Sequence, residues 1–171
     1  MKKVLLLVTL LVLGCTSVCF AFIPESDVAI GGITLSSTED YVKGIYGQGQ
    51  YSERHQDEHV NHWIIYDSVK NKSRYYSLEV GINVEGTVSD VDCAEANLAT
   101  PAGFQVGMNY AAVQQIYGRP NEIQYNRKEG NIIRYAYYSG PYVDDPALSF
   151  YVNRSTHKIV HIEIDRLVAK N

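Results

Sequence analysis

The chain has 171 residues, with 19 acidic against 15 basic, a formal net charge of −4, and 46% hydrophobic residues. That length fits one domain of ordinary size, or two small ones sharing a core. No basic stripe of the kind that holds nucleic acid is present, and a modest negative charge favours solubility without bearing on the fold.

Residues 1–21 read as a leader. Lys2 and Lys3 form a basic start, Val4 to Cys19 an apolar run, and Cys19-Phe20-Ala21 places small residues where a signal peptidase reads. A membrane span needs ~20 apolar residues with interfacial anchors, so no span is expected in the mature form. "LVLGC" at Leu11 to Cys15 also fits a bacterial lipoprotein box, with Cys15 as the lipidated first residue. Cleavage after Ala21 is the leading reading, and a lipid anchor at Cys15 and an uncleaved leader are the alternatives. Each places the body outside the cytoplasm of a bacterium, as a secreted, periplasmic or cell-envelope protein. Removing the leader takes away two lysines and no acid, leaving a net charge of −6. Cys93 then stands alone, so no intramolecular disulfide forms. It reads as a small residue at a strand end rather than a nucleophile.

The first unit is placed at residues 22–92. Within "ITLSSTEDYVKGIYGQG", Ile33 to Gly49, Ser36 or Ser37 is expected to cap a helix, with Glu39 and Asp40 in its first turn. Val42, Ile45 and Tyr46 form its apolar stripe, and Gly47 ends it. Gly31-Gly32 supplies backbone freedom ahead of it. "QYSERH", "HWIIYD", "RYYSLEV" and "EGTVSDVD" then read as strands. Between the first two lies "RHQDEHVNH", whose His55, His59 and His62 are spaced by four and three. On a helix that spacing makes a zinc set, with Asp57 and Glu58 assisting. On strands it puts the imidazoles on mixed faces, and a polar hairpin is the reading preferred here.

Residues 93–102, "CAEANLATPA", read as a linker, and 103–171 as a second unit. In "FQVGMNYAAVQQIYGRP", Phe104 to Pro120, Asn109 caps a short helix, Val113, Ile116 and Tyr117 form its stripe, and Gly118 with Pro120 stops it. Shifted by 71 positions, Gly103, Val113, Ile116, Tyr117 and Gly118 fall on Gly32, Val42, Ile45, Tyr46 and Gly47. "EIQYNRKEGNIIRYAYY" reads as a hairpin about Lys128-Glu129-Gly130. "ALSFYVN" and "KIVHIEID", separated by Arg154 to His157, read as a second. The expected class is therefore α+β: two tandem units, each a short helix followed by about four antiparallel strands, with the helices on one face of the sheet.

The residues Gly103-Phe104, Val106-Gly107, Val113, Ile116, Tyr117-Gly118 and Pro120 resemble the opening of a BamE (SmpA/OmlA) type domain. A tandem pair of such units resembles the β-lactamase inhibitory protein fold. The first copy departs from the pattern at Ser36 and Gly49. The resemblance implies a protein that acts by binding other proteins, in outer-membrane assembly or as an enzyme inhibitor, and carries over no catalytic residue.

The residues themselves supply no G-x-S-x-G, H-E-x-x-H or phosphate loop, so neither a catalytic site nor a cofactor is expected. The acidic pairs Asp144-Asp145 and Asp90-x-Asp92 read as turn residues rather than a glycosidase dyad. Fourteen tyrosines are unusual. Tyr135, Tyr137, Tyr138 and Tyr142 are the candidates for gripping a protein partner, with Tyr135 and Tyr137 on one strand face and Tyr138 on the other. The sequence thus points to an exported, non-enzymatic envelope protein that binds a protein partner through its sheet or loops. A secreted enzyme inhibitor and a metal-binding protein on the three histidines are the alternatives.

Overall fold

The structure, a computed structural model, describes residues 22–52, 60–66, 78–126, 131–142 and 144–166. The leader with Cys15, His55, His59 and the Lys128-Glu129-Gly130 turn lie outside them.

A 3-10 turn at Glu25–Asp27 leads into a hairpin of β1 (Ala29–Ile30) and β2 (Ile33–Thr34). Gly31 and Gly32 are its two loop residues, with φ of +57° and +84°. Positive φ at both loop positions is the turn that matches strand twist, and glycine adopts it without strain. The pair expected merely to loosen the backbone before a helix thus makes a hairpin. Helix α1 (Glu39–Tyr46) follows, then β3 (Gln50–Ser52), β4 (His62–Tyr66), β5 (Leu78–Ile82) and β6 (Val88–Cys93). Helix α2 (Ala111–Tyr117) precedes β7 (Glu122–Asn126), β8 (Ile132–Tyr138), β9 (Pro146–Asn153) and β10 (Ile159–Arg166). Strands β3 to β10 form one eight-stranded antiparallel sheet in the order β3-β4-β5-β6-β10-β9-β8-β7.

The expected class is corrected by this arrangement. The protein is mainly β: one large sheet, a two-stranded hairpin, and helices of only eight and seven residues. The two halves share one continuous sheet, as the short linker allows, because β6 pairs with β10 through Cys93↔Ile162, Asp92↔Glu163 and Val91↔Ile164. A sheet ending at β6 would leave a row of unpaired backbone groups, and pairing across the seam satisfies them. Two-turn helices cannot form a layer of their own and serve as covers on the sheet.

Alternation sorts the side chains. Val80, Val91, Ile162, Ile164, Leu148 and Phe150 point to one face and pack in a single cluster with Ile30, Ile33, Val42 and Val113. Both helices and the β1–β2 hairpin therefore lie on that face. Within the helices the expected stripes are half right. Val42 and Val113 are fully buried, whereas Ile45 is 47% and Ile116 66% exposed. The tyrosine one residue on takes the inward place, because its hydroxyl finds a partner. Tyr46 donates to the Gly31 carbonyl at 2.6 Å and Tyr117 to Asp27 at 2.9 Å. The cap of α1 is Thr38, whose Oγ1 accepts the Tyr41 N–H at 3.3 Å. Ser37 instead accepts the Thr34 N–H at 3.0 Å. The cap of α2 is Tyr110, which makes no side-chain capping bond, and Asn109 just ahead of it accepts the Ala111 N–H at 2.9 Å.

Candidate functional site

The residues that alternate with the core cluster make the opposite face of the sheet, where no helix of the described residues packs. Reading the register from β5 to β7, Glu79 lies opposite Asp92, Asp92 opposite Glu163, Glu163 opposite Ser149, Ser149 opposite Ala136 and Ala136 opposite Glu122. Three adjacent strands thus carry carboxylates in one row. Like charges directly opposite one another destabilise a sheet, and cationic and hydroxyl groups on the same face offset that repulsion.

One cation serves three of these acids. Arg134 on β8 is 8% exposed. Its Nε lies 3.6 Å from Glu163, one terminal nitrogen 3.4 Å from Asp165 and the other 3.9 Å from Glu122. Tyrosine hydroxyls supply donors: Tyr151 to Glu163 at 2.5 Å and Tyr138 to Glu122 at 2.6 Å. His161 Nε2 is 2.7 Å from Asp92 Oδ1. Asp90 lies over Gly81, where an added Cβ would come within 2.2 Å of its Oδ1, so a side chain at position 81 would push that carboxyl aside. The Ser149 hydroxyl sits in this patch, fully buried and without a hydrogen-bond partner among the described residues.

Burial dominates the electrostatics here. It pushes Asp90 up to about 8, with Asp92, Glu163 and Asp165 adding to the rise. Burial, followed by Glu163, raises Asp165 to about 7. Glu163 moves up for the same reason, with Asp92 next in weight. Glu122 goes the other way, held below the usual carboxylate range by the Tyr138 hydroxyl. The patch therefore mixes proton-holding and charged carboxyls, and offers closely spaced acceptors to a cationic group.

The residues singled out from sequence fall elsewhere in part. Tyr137 is fully buried on the helix face, its hydroxyl 2.8 Å from that of Tyr110 and donating to the Gly118 carbonyl at 3.2 Å. It packs in the core. Tyr135 stacks on Tyr110 with ring centroids 4.1 Å apart. Tyr138 does lie on the acidic face, and Tyr142 is 70% exposed in the β8–β9 loop. His62 is placed beside Glu39, Nε2 to Oε1 3.3 Å, together with Lys43 and Tyr51. Among the described residues no three His, Cys, Asp or Glu side chains are grouped to hold a metal ion. Asp90 and Asp92 are strand residues, not turn residues, because β6 runs through them. Asp145 closes the β8–β9 loop by accepting the Tyr142 N–H at 2.7 Å. Arg134, Glu163 and Asp165 belong to no motif in the sequence, although "HIEID" alternates acid with isoleucine, a legible sign of a two-faced strand.

No family model matches the chain and no curated protein matches it. Solved structures share the fold. A DUF4309 family protein, YjgB, from Bacillus subtilis superposes with a TM-score of 0.50 at 16% identity, over 85% of this chain and 87% of that one. An extracellular protein containing an SCP domain, from Bacillus anthracis, superposes with a TM-score of 0.51 at 14% identity, over 77% of this chain and 43% of that one. This chain thus spans less than half of the second protein. At such identities the likeness shows the fold alone. No helix of the described residues is long and apolar enough to cross a membrane.

Proposed function

We propose that the chain is an exported, non-enzymatic protein of the bacterial cell envelope that binds another protein, and that a cationic segment of this partner lies across the acidic face of the sheet. The observation that carries the reading is the row Glu79, Asp92 and Glu163 on adjacent strands, with Asp90, Asp165 and Glu122 beside it on the face left open among the described residues. Complementary charge across an interface steers a partner and fixes its register. Lysine or arginine side chains fit the spacing of strands, about 4.8 Å apart, and Tyr138 and Tyr142 offer aromatic contacts at the margin. Export rests on the leader at residues 1–21, and the neighbour described as extracellular supports it. The resemblance of residues 103–120 to a BamE-type opening supports a binding role, with Cys15 as the site of a lipid anchor if the leader is processed that way.

The test is capture from the envelope fraction of native cells, with the mature chain and with its Asp92→Asn, Glu163→Gln variant as baits. Both changes remove charge without removing volume, and Arg134 keeps Asp165 and Glu122. The expected result is a partner held by the wild type, released by salt, and absent from a variant whose circular dichroism is unchanged. A folded variant that captures the same partner in the same amount refutes the reading.

A further inference from the structure

Among the described residues strands β3 and β7 are the two edges of the sheet, and they differ in length. Edge strands invite pairing with other chains, and proteins blunt them by shortness, charge or proline. β3 is the shorter, with three residues, and its Tyr51 hydroxyl is tied to Glu39 at 2.8 Å; a cation lies over a tyrosine at each edge, Lys43 5.0 Å over Tyr51 and Arg154 5.9 Å over Tyr125. β7, "EIQYN", has five residues and contains neither lysine, arginine nor proline. Its one charge, Glu122, is already held by Tyr138 and by Gln124, at 2.6 Å each. On the helix face it leaves Ile123 44% and Tyr125 64% exposed.

The sequence of this edge is complementary to itself. Paired antiparallel to its own copy about Gln124, it sets Ile123 against Tyr125 of the second copy twice, on the face where the apolar layer already lies. An aromatic residue opposite a β-branched one is a favourable cross-strand pair. In the same register Glu122 stands opposite position 126, an asparagine, so no two carboxylates meet. Backbone groups of one edge match those of the other by symmetry, as in any isologous two-fold contact.

We infer that two copies of this chain associate through β7, joining their sheets into one of sixteen strands. The contact is short, which places it among the weak interfaces, and it is independent of the partner assigned to the acidic face. Cysteine scanning reads the register directly. Residues opposed in an antiparallel pair have Cα atoms about 4.5–5.5 Å apart, within the reach of a disulfide. Gln124→Cys is therefore expected to cross-link to its own copy in oxidised glutathione. Glu122→Cys is not, because four residues of offset hold its two copies about 14 Å apart. Native Cys93 is fully buried and its thiol is pushed up to about 11, so it stays silent. Sedimentation of the wild type is expected to show a concentration-dependent dimer, lost in Ile123→Lys, Tyr125→Lys, which opposes like charges across the dyad. A wild type that stays monomeric, a dimer that survives the double substitution, or equal cross-linking at positions 122 and 124 overturns the inference.

Discussion

At the scale of single residues, Tyr137 shows how side-chain identity and position divide the work. Its ring is fully buried against Phe150 and Tyr117, with centroids 6.0 and 5.4 Å away. Its hydroxyl links Tyr110 to the carbonyl that ends α2. Removing the ring leaves a large void, and large-to-small changes of this kind cost about 3–5 kcal/mol. Removing only the hydroxyl strands two polar partners and costs about 1–2 kcal/mol. Thermal unfolding is expected to rank the variants in that order: wild type, Tyr137→Phe, Tyr137→Ala. An alanine variant as stable as the wild type contradicts the burial. Gly118, which receives that hydroxyl, has φ +72° and ψ −139°, a region that glycine alone occupies without strain.

Elements explain why the helices are legible and their orientation is not. Positions three and four residues on from Val113 are separated by about 100° around the axis. In a helix of two turns only one of them joins Val113 against the sheet. Hydropathy favours Ile116, but Tyr117 fills a comparable volume and gains a hydrogen bond to Asp27. That bond spans 90 residues of sequence, so no local pattern announces it. Ile116→Ala is therefore expected to change stability by less than about 0.5 kcal/mol. Val113→Ala is expected to cost roughly 2 kcal/mol from lost burial and the cavity left behind. Chemical denaturation of the pair decides between the two faces. The strands were legible for the converse reason: in "KIVHIEID" and "ALSFYVN" the period of two is set by one buried face, a local fact. Which strands pair is not local. Nothing in "EGTVSDVD" says that Asp92 will meet Glu163, and so the acidic row emerged only when β6 and β10 came together.

For the whole molecule, that seam sets how stability depends on pH. The β6–β10 pairing joins the two halves of the sheet through apolar pairs on one face and Asp92 opposite Glu163 on the other. Asp90, pushed up to about 8, and Asp165, raised to about 7, hold protons in the folded chain that an unfolded chain releases near pH 4. Over that window the folded state binds more protons than the unfolded one, so stability falls as pH rises. Glu39 and Glu122 are shifted down and act below the window. Melting temperature is therefore expected to drop between about pH 5 and pH 8. Asp90→Asn should make the drop shallower and raise the melting temperature at the alkaline end. A wild-type melting temperature that is flat or rising over that range contradicts the burial of these carboxyls. The same deprotonation adds negative charge to the acidic face, so a cationic partner should bind more tightly as the free fold weakens. Partner binding would then restore the lost stability, because a ligand that favours the charged folded state draws the equilibrium toward it.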